Sequence, residues 1–106
     1  MHRPPAASDV FWAIADPTRR AILDRLRAGP ANAGALAAGF RQSRPSISKH
    51  LRVLREARLV VDNAVGRERL YTVDPVPLQT VVGWLEGYRS FWQSRLTRLK
   101  RNLEGK

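Results

Sequence analysis

The stretch SRPSISKHLRVLREARLV, residues 43–60, decides how the rest of the chain is read. Ser43 is placed as a helix cap, with Pro45 in the first turn, where a missing N–H costs nothing. From Ile47 the apolar positions are Ile47, Leu51 and Leu54, spaced i, i+4, i+7, a single narrow seam. At about 100° per residue, Lys49 and Arg52 fall opposite that seam, with Ser46 and Ser48 flanking them. The only acid in the helix is Glu56, near its end. A helix that merely packed and solvated itself would more often mix Glu among its Lys and Arg. The spacing therefore predicts a helix over 43–57 with a cationic, hydroxyl-bearing outer face. His50 lies beside the seam. Two readings stay open for it: a half-buried histidine bridging core and surface, or a phosphate or base contact from its outer edge.

Working towards the N-terminus, Leu36 and Phe40 anchor a short helix over about 32–39, joined to the next by Arg41-Gln42-Ser43. Asp16-Pro17 is a start signal, a cap followed by proline at the first helical position. Ile22, Leu23 and Leu26 carry the period to Arg27, and Gly29-Pro30 stops it. A first helix is read at 8–15, with Ser8 as cap, Asp9 in the first turn and Val10, Phe11 and Ile14 on one side. Residues 1–7 (MHRPPAA) read as a loose arm, because two prolines oppose a helix. Arg19, Arg20, Arg25 and Arg27 read as solvated, with a minor phosphate role open to Arg19 or Arg20.

Towards the C-terminus, Leu59-Val60-Val61 and Leu70-Tyr71-Thr72-Val73 are rich in strand formers, and DNAVGRER lies between them. This predicts a β-hairpin over 59–73 that turns at Gly66, with Arg67 and Arg69 flanking its tip. Asp74-Pro75-Val76-Pro77 separates it from the last element. From Leu78 to Leu103 there is no proline, and Val81, Leu85, Tyr88, Trp92, Leu96, Leu99 and Leu103 recur at three- and four-residue steps. One helix of this length would span about 40 Å and overhang so small a domain. Its distal apolar residues would then have little of their own chain to cover, so Leu85, Tyr88, Trp92, Leu96 and Leu99 are candidates for an interface with a second copy.

The fold class is mainly α with a small β-hairpin: a winged helix-turn-helix with a long C-terminal dimerisation helix, in one domain over 8–106. Such a fold places the helix at 43–57 in the major groove of DNA and the wing on adjacent backbone or minor groove. Hydroxyls and long cations are what phosphates and base edges accept. Ser43, Arg44, Pro45, Ser46, Ser48, Lys49, His50, Arg52, Arg67 and Arg69 are the candidate DNA-binding residues. The chain has 106 residues and a formal net charge of +10, which attracts polyanions. It has no cysteine, so disulfides and thiol chemistry are excluded. No apolar run reaches a membrane span, and MHRPPAASD has no signal core, so a cytoplasmic protein is expected. Ser48 and His50 are not a dyad, because i, i+2 side chains diverge on a helix. No catalytic residue, cofactor or metal is expected. A winged-helix adaptor for an acidic protein, a non-specific nucleic-acid binder and a double-stranded-RNA binder are the alternatives.

The segments ADPTRRAILDRLRAGP (15–30), SRPSISKHLRVLREARLV (43–60) and GRERLYTVDP (66–75) together resemble the ArsR-type winged-helix repressors. More narrowly, they resemble the metal-independent branch with a long aromatic C-terminal helix, here WLEGYRSFW (84–92). The resemblance spans Val10 to Leu103. It implies a homodimer built from the first and last helices, which adds Phe11 to the interface, and repression from a palindromic operator. Metal-sensing members carry a cysteine pair in the helix before the recognition helix, or Asp, His and Glu ligands on the last helix. This chain has AGALAAGF at the first place and no histidine at the second. Repression is then either constitutive or relieved by a small molecule or partner protein.

Overall fold

The computed structural model describes residues 9–105. Four helices come first: α1 (Val10–Ile14), α2 (Pro17–Arg27), α3 (Ala33–Ala38) and α4 (Arg44–Glu56). A hairpin of β1 (Val60–Val65) and β2 (Glu68–Val73) follows, then α5 (Leu78–Glu86) and α6 (Arg89–Glu104). The first four helices each begin on a side-chain cap. Asp9, Asp16, Asn32 and Ser43 accept from the backbone N–H of Phe11, Arg19, Ala35 and Ser46. Each satisfies a donor that the first helical turn leaves without an intrahelical partner. Ser8, read as the first cap, lies outside the described residues, as does the arm at 1–7. Asp9 does the capping, so α1 starts later than the sequence suggests.

The three seam residues of α4 meet a core shared with α2, α3 and the hairpin base. Ile22, Leu36, Ile47, Leu51, Leu54, Leu59 and Val60 are each less than 2% exposed. The exit from α4 is tight. Leu59 N–H donates to Leu54 C=O at 2.9 Å and Arg58 N–H to Arg55 C=O at 3.0 Å, the paired bonds of a Schellman cap. Arg58 takes the left-handed conformation this requires, at φ 64°, where glycine is usual.

The strands pair antiparallel from Val60↔Val73 to Val65↔Glu68, which leaves Gly66-Arg67 as a two-residue turn. Gly66 has φ 62°, and glycine in the first central position is what a twist-matched tight hairpin of this kind selects. Asp62 and Tyr71, like Val60 and Val73, are cross-strand partners on the inward face. Ala31 and Tyr71 exchange two backbone hydrogen bonds, at 3.2 and 2.8 Å, so the segment before α3 pins the outer edge of β2.

The C-terminal element is not the single helix expected over 78–103. It breaks at Gly87-Tyr88, where Gly87 N–H and Tyr88 N–H reach back only three residues, to Trp84 and Leu85. Tyr88 has φ −103° and ψ −4°, well off the helical mean. Glycine is a poor helix former, and no buried packing holds the turn straight, because neither α5 nor α6 has a buried residue. The radius of gyration is 18.5 Å, against about 13 Å for a compact chain of this length. The overhang expected from the sequence is therefore present despite the break.

Candidate nucleic-acid interface

α4 turns its buried seam to the core and leaves Ser43, Arg44, Pro45, Ser48, Lys49 and Arg52 exposed. Arg44, Lys49 and Arg52 make no ion pair among the described residues. The first turn of α4 carries no acid, so its outward N–H groups and dipole add to the positive field. Ser43 spends its hydroxyl on the cap. Ser46 differs from its neighbours. It is half-buried, and its Oγ donates to Gln42 Oε1 at 2.8 Å, while Gln42 Nε2 donates to Thr18 Oγ1 at 2.9 Å. This relay ties the start of α4 to α2. Sequence reading misses Gln42 and Thr18, which lie 24 residues apart and meet only in the fold.

His50 is half-buried, with Nδ1 3.9 Å from Asp16 Oδ2. Burial works to raise the Asp16 pKa, but the Arg19 N–H bond and the His50 and Arg19 charges outweigh it and hold the carboxyl below its ordinary value. Arg19 is the clearest correction to the sequence reading. It is neither solvated nor turned to a phosphate, being only 9% exposed. Its Nε donates to Ala13 C=O at 2.6 Å and its Nη2 to Trp12 C=O at 2.9 Å, with the guanidinium 5.9 Å from the Trp12 ring centre. It thus satisfies the last carbonyls of α1. Arg20 donates to Ile14 C=O at 2.8 Å from an exposed position.

In the wing, Arg67 is exposed at the tip and makes no ion pair among the described residues. Arg69 is also exposed but shares Asp62 with Arg55, at 2.7 and 3.4 Å. The Arg69 hydrogen bond, with Arg55 in support and burial opposing, holds the Asp62 carboxyl below its ordinary value. Part of the Arg69 charge is therefore neutralised within the protein. A groove of about 510 Å³ runs between the start of α3, α4 and the wing, with Arg44, Ser48, Arg67 and Arg69 on its walls. Its one carboxylate, Glu68, accepts a hydrogen bond from Asn32 Nδ2.

The residues read as an interface are all exposed: Phe11, Leu85, Tyr88, Trp92, Leu96 and Leu99. Phe11, Trp84, Tyr88 and Phe91 form a continuous aromatic ladder with ring centres 5.2 to 6.2 Å apart. Trp12, which the sequence reading passes over, is 47% exposed on the same helix as Phe11. Among the described residues no three His, Asp or Glu side chains gather as a metal site, and no helix is long and apolar enough to cross a membrane.

Residues 14–62, from the end of α1 into β1, match the family model of a helix-turn-helix domain. The chain is 46% identical over 90 residues to the HTH-type transcriptional regulator Rv2034 of Mycobacterium tuberculosis, covering 84% of this chain and 81% of that protein. It is 42% identical over 78 residues to the transcriptional repressor SdpR of Bacillus subtilis, covering 74% and 87%. A crystal structure of an ArsR family transcriptional regulator superposes with a TM-score of 0.71 at 35% identity, covering 83% of this chain and 97% of that one. The hairpin that follows α4, the outer face of that helix, whose one acid is Glu56 at its C-terminal end, and these likenesses agree: this chain belongs to the ArsR family of winged helix-turn-helix transcriptional regulators.

Proposed function

We propose that the protein is a DNA-binding transcriptional repressor that acts in the cytoplasm as a homodimer on an inverted-repeat operator. α4 enters the major groove, and the wing lies on the adjacent backbone or minor groove. The observation that carries this is the two-sidedness of α4. Ile47, Leu51 and Leu54 are no more than 1% exposed, while Lys49, Arg52 and Ser48 stand free on the other side. The recognition set is Arg44, Pro45, Ser48, Lys49 and Arg52, with Arg67 and Arg69 from the wing. Ser43 and Ser46 hold the start of the helix; the Ser43 hydroxyl accepts in its cap and keeps its proton for a phosphate, while the Ser46 hydroxyl donates to Gln42. His50 braces α4 against α2 through Asp16.

The dimer reading rests on the exposed apolar stripe of α5 and α6 and on its continuity with Phe11. Two copies paired isologously would set the recognition helices about 34 Å apart, one turn of DNA. The absence of cysteine supports a repressor that does not sense metals or oxidants through thiols, so that repression is either constitutive or released by a small molecule or partner protein.

The test is selection of bound fragments from genomic DNA, followed by titration of the recovered site. Recovery of one short inverted repeat is expected. Replacing Lys49 and Arg52 together with alanine should lower affinity for it by about a hundredfold or more, at 1–3 kcal/mol for each base contact. The affinity should also fall steeply with salt, and less steeply for the variant, by about one counterion for each phosphate that no longer meets a cation. Full binding by the double variant would remove α4 from the interface.

A further inference from the structure

Asn32 occupies an unusual place between two working parts. Its Oδ1 accepts from Ala35 N–H at 2.7 Å and so caps α3, the first helix of the helix-turn-helix pair. Its Nδ2 donates to Glu68 Oε1, on the first residue of β2. One half-buried amide therefore joins the reading module to the wing. The hairpin base is already pinned, since Ala31 and Tyr71 exchange two backbone bonds. That joint leaves the outer half of the hairpin free to pivot. Glu68 lies three residues further out, about 10 Å along the strand, and Arg67 follows it directly at the tip. A second fastening here suppresses the pivot, because two separated points define a direction where one does not.

We infer that Asn32 is the positioning residue of the wing: its amide holds Glu68 and so sets where Arg67 stands relative to α4. The inference rests on the DNA-binding reading only for the purpose of that placement. Glu68 also gains a meaning. A lone carboxylate in a groove lined by Arg44, Arg67 and Arg69 weakens attraction to phosphate. Its use as the acceptor for Asn32 accounts for its presence.

Charge and position can be separated by swapping the bond. Asn32→Asp keeps the α3 cap, since aspartate caps as well as asparagine, but loses the donor and faces Glu68 with a second carboxylate. Glu68→Gln keeps an acceptor for Asn32 while removing a negative charge. The double variant Asn32→Asp/Glu68→Gln restores the bond in the opposite sense, with the net charge of the wild type. Two readouts are needed. The first is amide hydrogen exchange of the free protein over the wing. Asn32→Asp should speed exchange at residues 67–70 without touching Leu51 or Leu54, and the double variant should reverse this. The second is affinity for the recovered DNA site. Asn32→Asp should lower it about tenfold, a loss of the size one hydrogen bond supports, and the double variant should return to within about threefold of wild type. Wing exchange in Asn32→Asp equal to wild type would overturn the inference. So would a double variant whose affinity is the product of the two single effects, since charges acting separately on DNA give that result. If the wild type binds no DNA, the repressor reading fails, and the exchange measurement alone decides whether Asn32 holds the wing.

Discussion

The reading head, α1 to β2, and the C-terminal pair α5–α6 carry the same kind of pattern and treat it oppositely. In α4 the i, i+4, i+7 seam is sealed, with Ile47 and Leu54 at 0% and Leu51 at 1% exposure. In α6 Leu96, Leu99 and Leu103 repeat at similar spacing and stand 65%, 55% and 72% exposed. Periodicity tells which face of a helix is apolar, not what covers it. In the head the cover comes from α2, α3 and the hairpin base. In the tail nothing among the described residues reaches far enough, and the stripe stays uncovered, which is what the proposed dimer would change. The largest effect that sharpens this contrast is in the head. Leu54→Ala should cost about 2–5 kcal/mol of folding free energy, read as a lowered urea midpoint with unchanged slope. A loss under about 1 kcal/mol would mean that the site collapses around the gap.

The matching change in the tail should spare the fold and break the assembly. Replacing Tyr88 and Trp92 together with alanine should leave the helical circular dichroism intact. It should weaken self-association by about a hundredfold or more, at about 2 kcal/mol for each central aromatic. Sedimentation across a concentration series reads this directly, and operator affinity should fall in parallel. A dimer as tight as wild type would place the interface elsewhere and leave the stripe without a role.

A second contrast separates two arginines that look alike in sequence. Arg52 is exposed and makes no ion pair among the described residues, so Arg52→Ala should move stability by no more than about 0.5 kcal/mol. Arg19→Ala removes the donors to Ala13 and Trp12 and uncovers the Trp12 ring. It should cost about 1.5–3 kcal/mol, the range of a hydrogen bond with a charged donor. Equal costs in urea denaturation would deny the capping role.

What is legible follows from distance along the chain. Caps at Asp16 and Ser43, the seam of Ile47, Leu51 and Leu54 and the turn at Gly66 are local, so sequence spacing alone locates α2, α4 and the hairpin to within a residue or two. The winged architecture follows from their order. Arg19 is misread because its partners are carbonyls of another helix, and carbonyls leave no mark in a sequence. The relay through Thr18, Gln42 and Ser46 and the bond between Asn32 and Glu68 are non-local in the same way, the latter across 36 residues. The break at Gly87 has a visible signal in the glycine itself. The apolar repeat runs through it unbroken, because Leu85 and Tyr88 keep a three-residue step across the bend. The stripe therefore masks the bend.

The smallest expected effect lies inside the best-packed part of the head and runs the other way. Arg58 closes α4 in the left-handed region at φ 64°, between Leu54 and Leu59, both fully buried. For a residue with a Cβ that conformation costs about 1–2 kcal/mol. Glycine escapes the cost but loses about 0.5–1 kcal/mol through its freer unfolded chain. Arg58→Gly should therefore stabilise the head by up to about 1 kcal/mol, while Arg58→Ala, which keeps the Cβ, should not. If alanine stabilises as much as glycine, the gain comes from relieving positive charge and the backbone at Arg58 is unstrained. If glycine stabilises and operator affinity drops for both variants, the strain is retained for a cation at the end of the recognition helix. The packed head would then carry a compromise between folding and binding that the uncovered tail does not face.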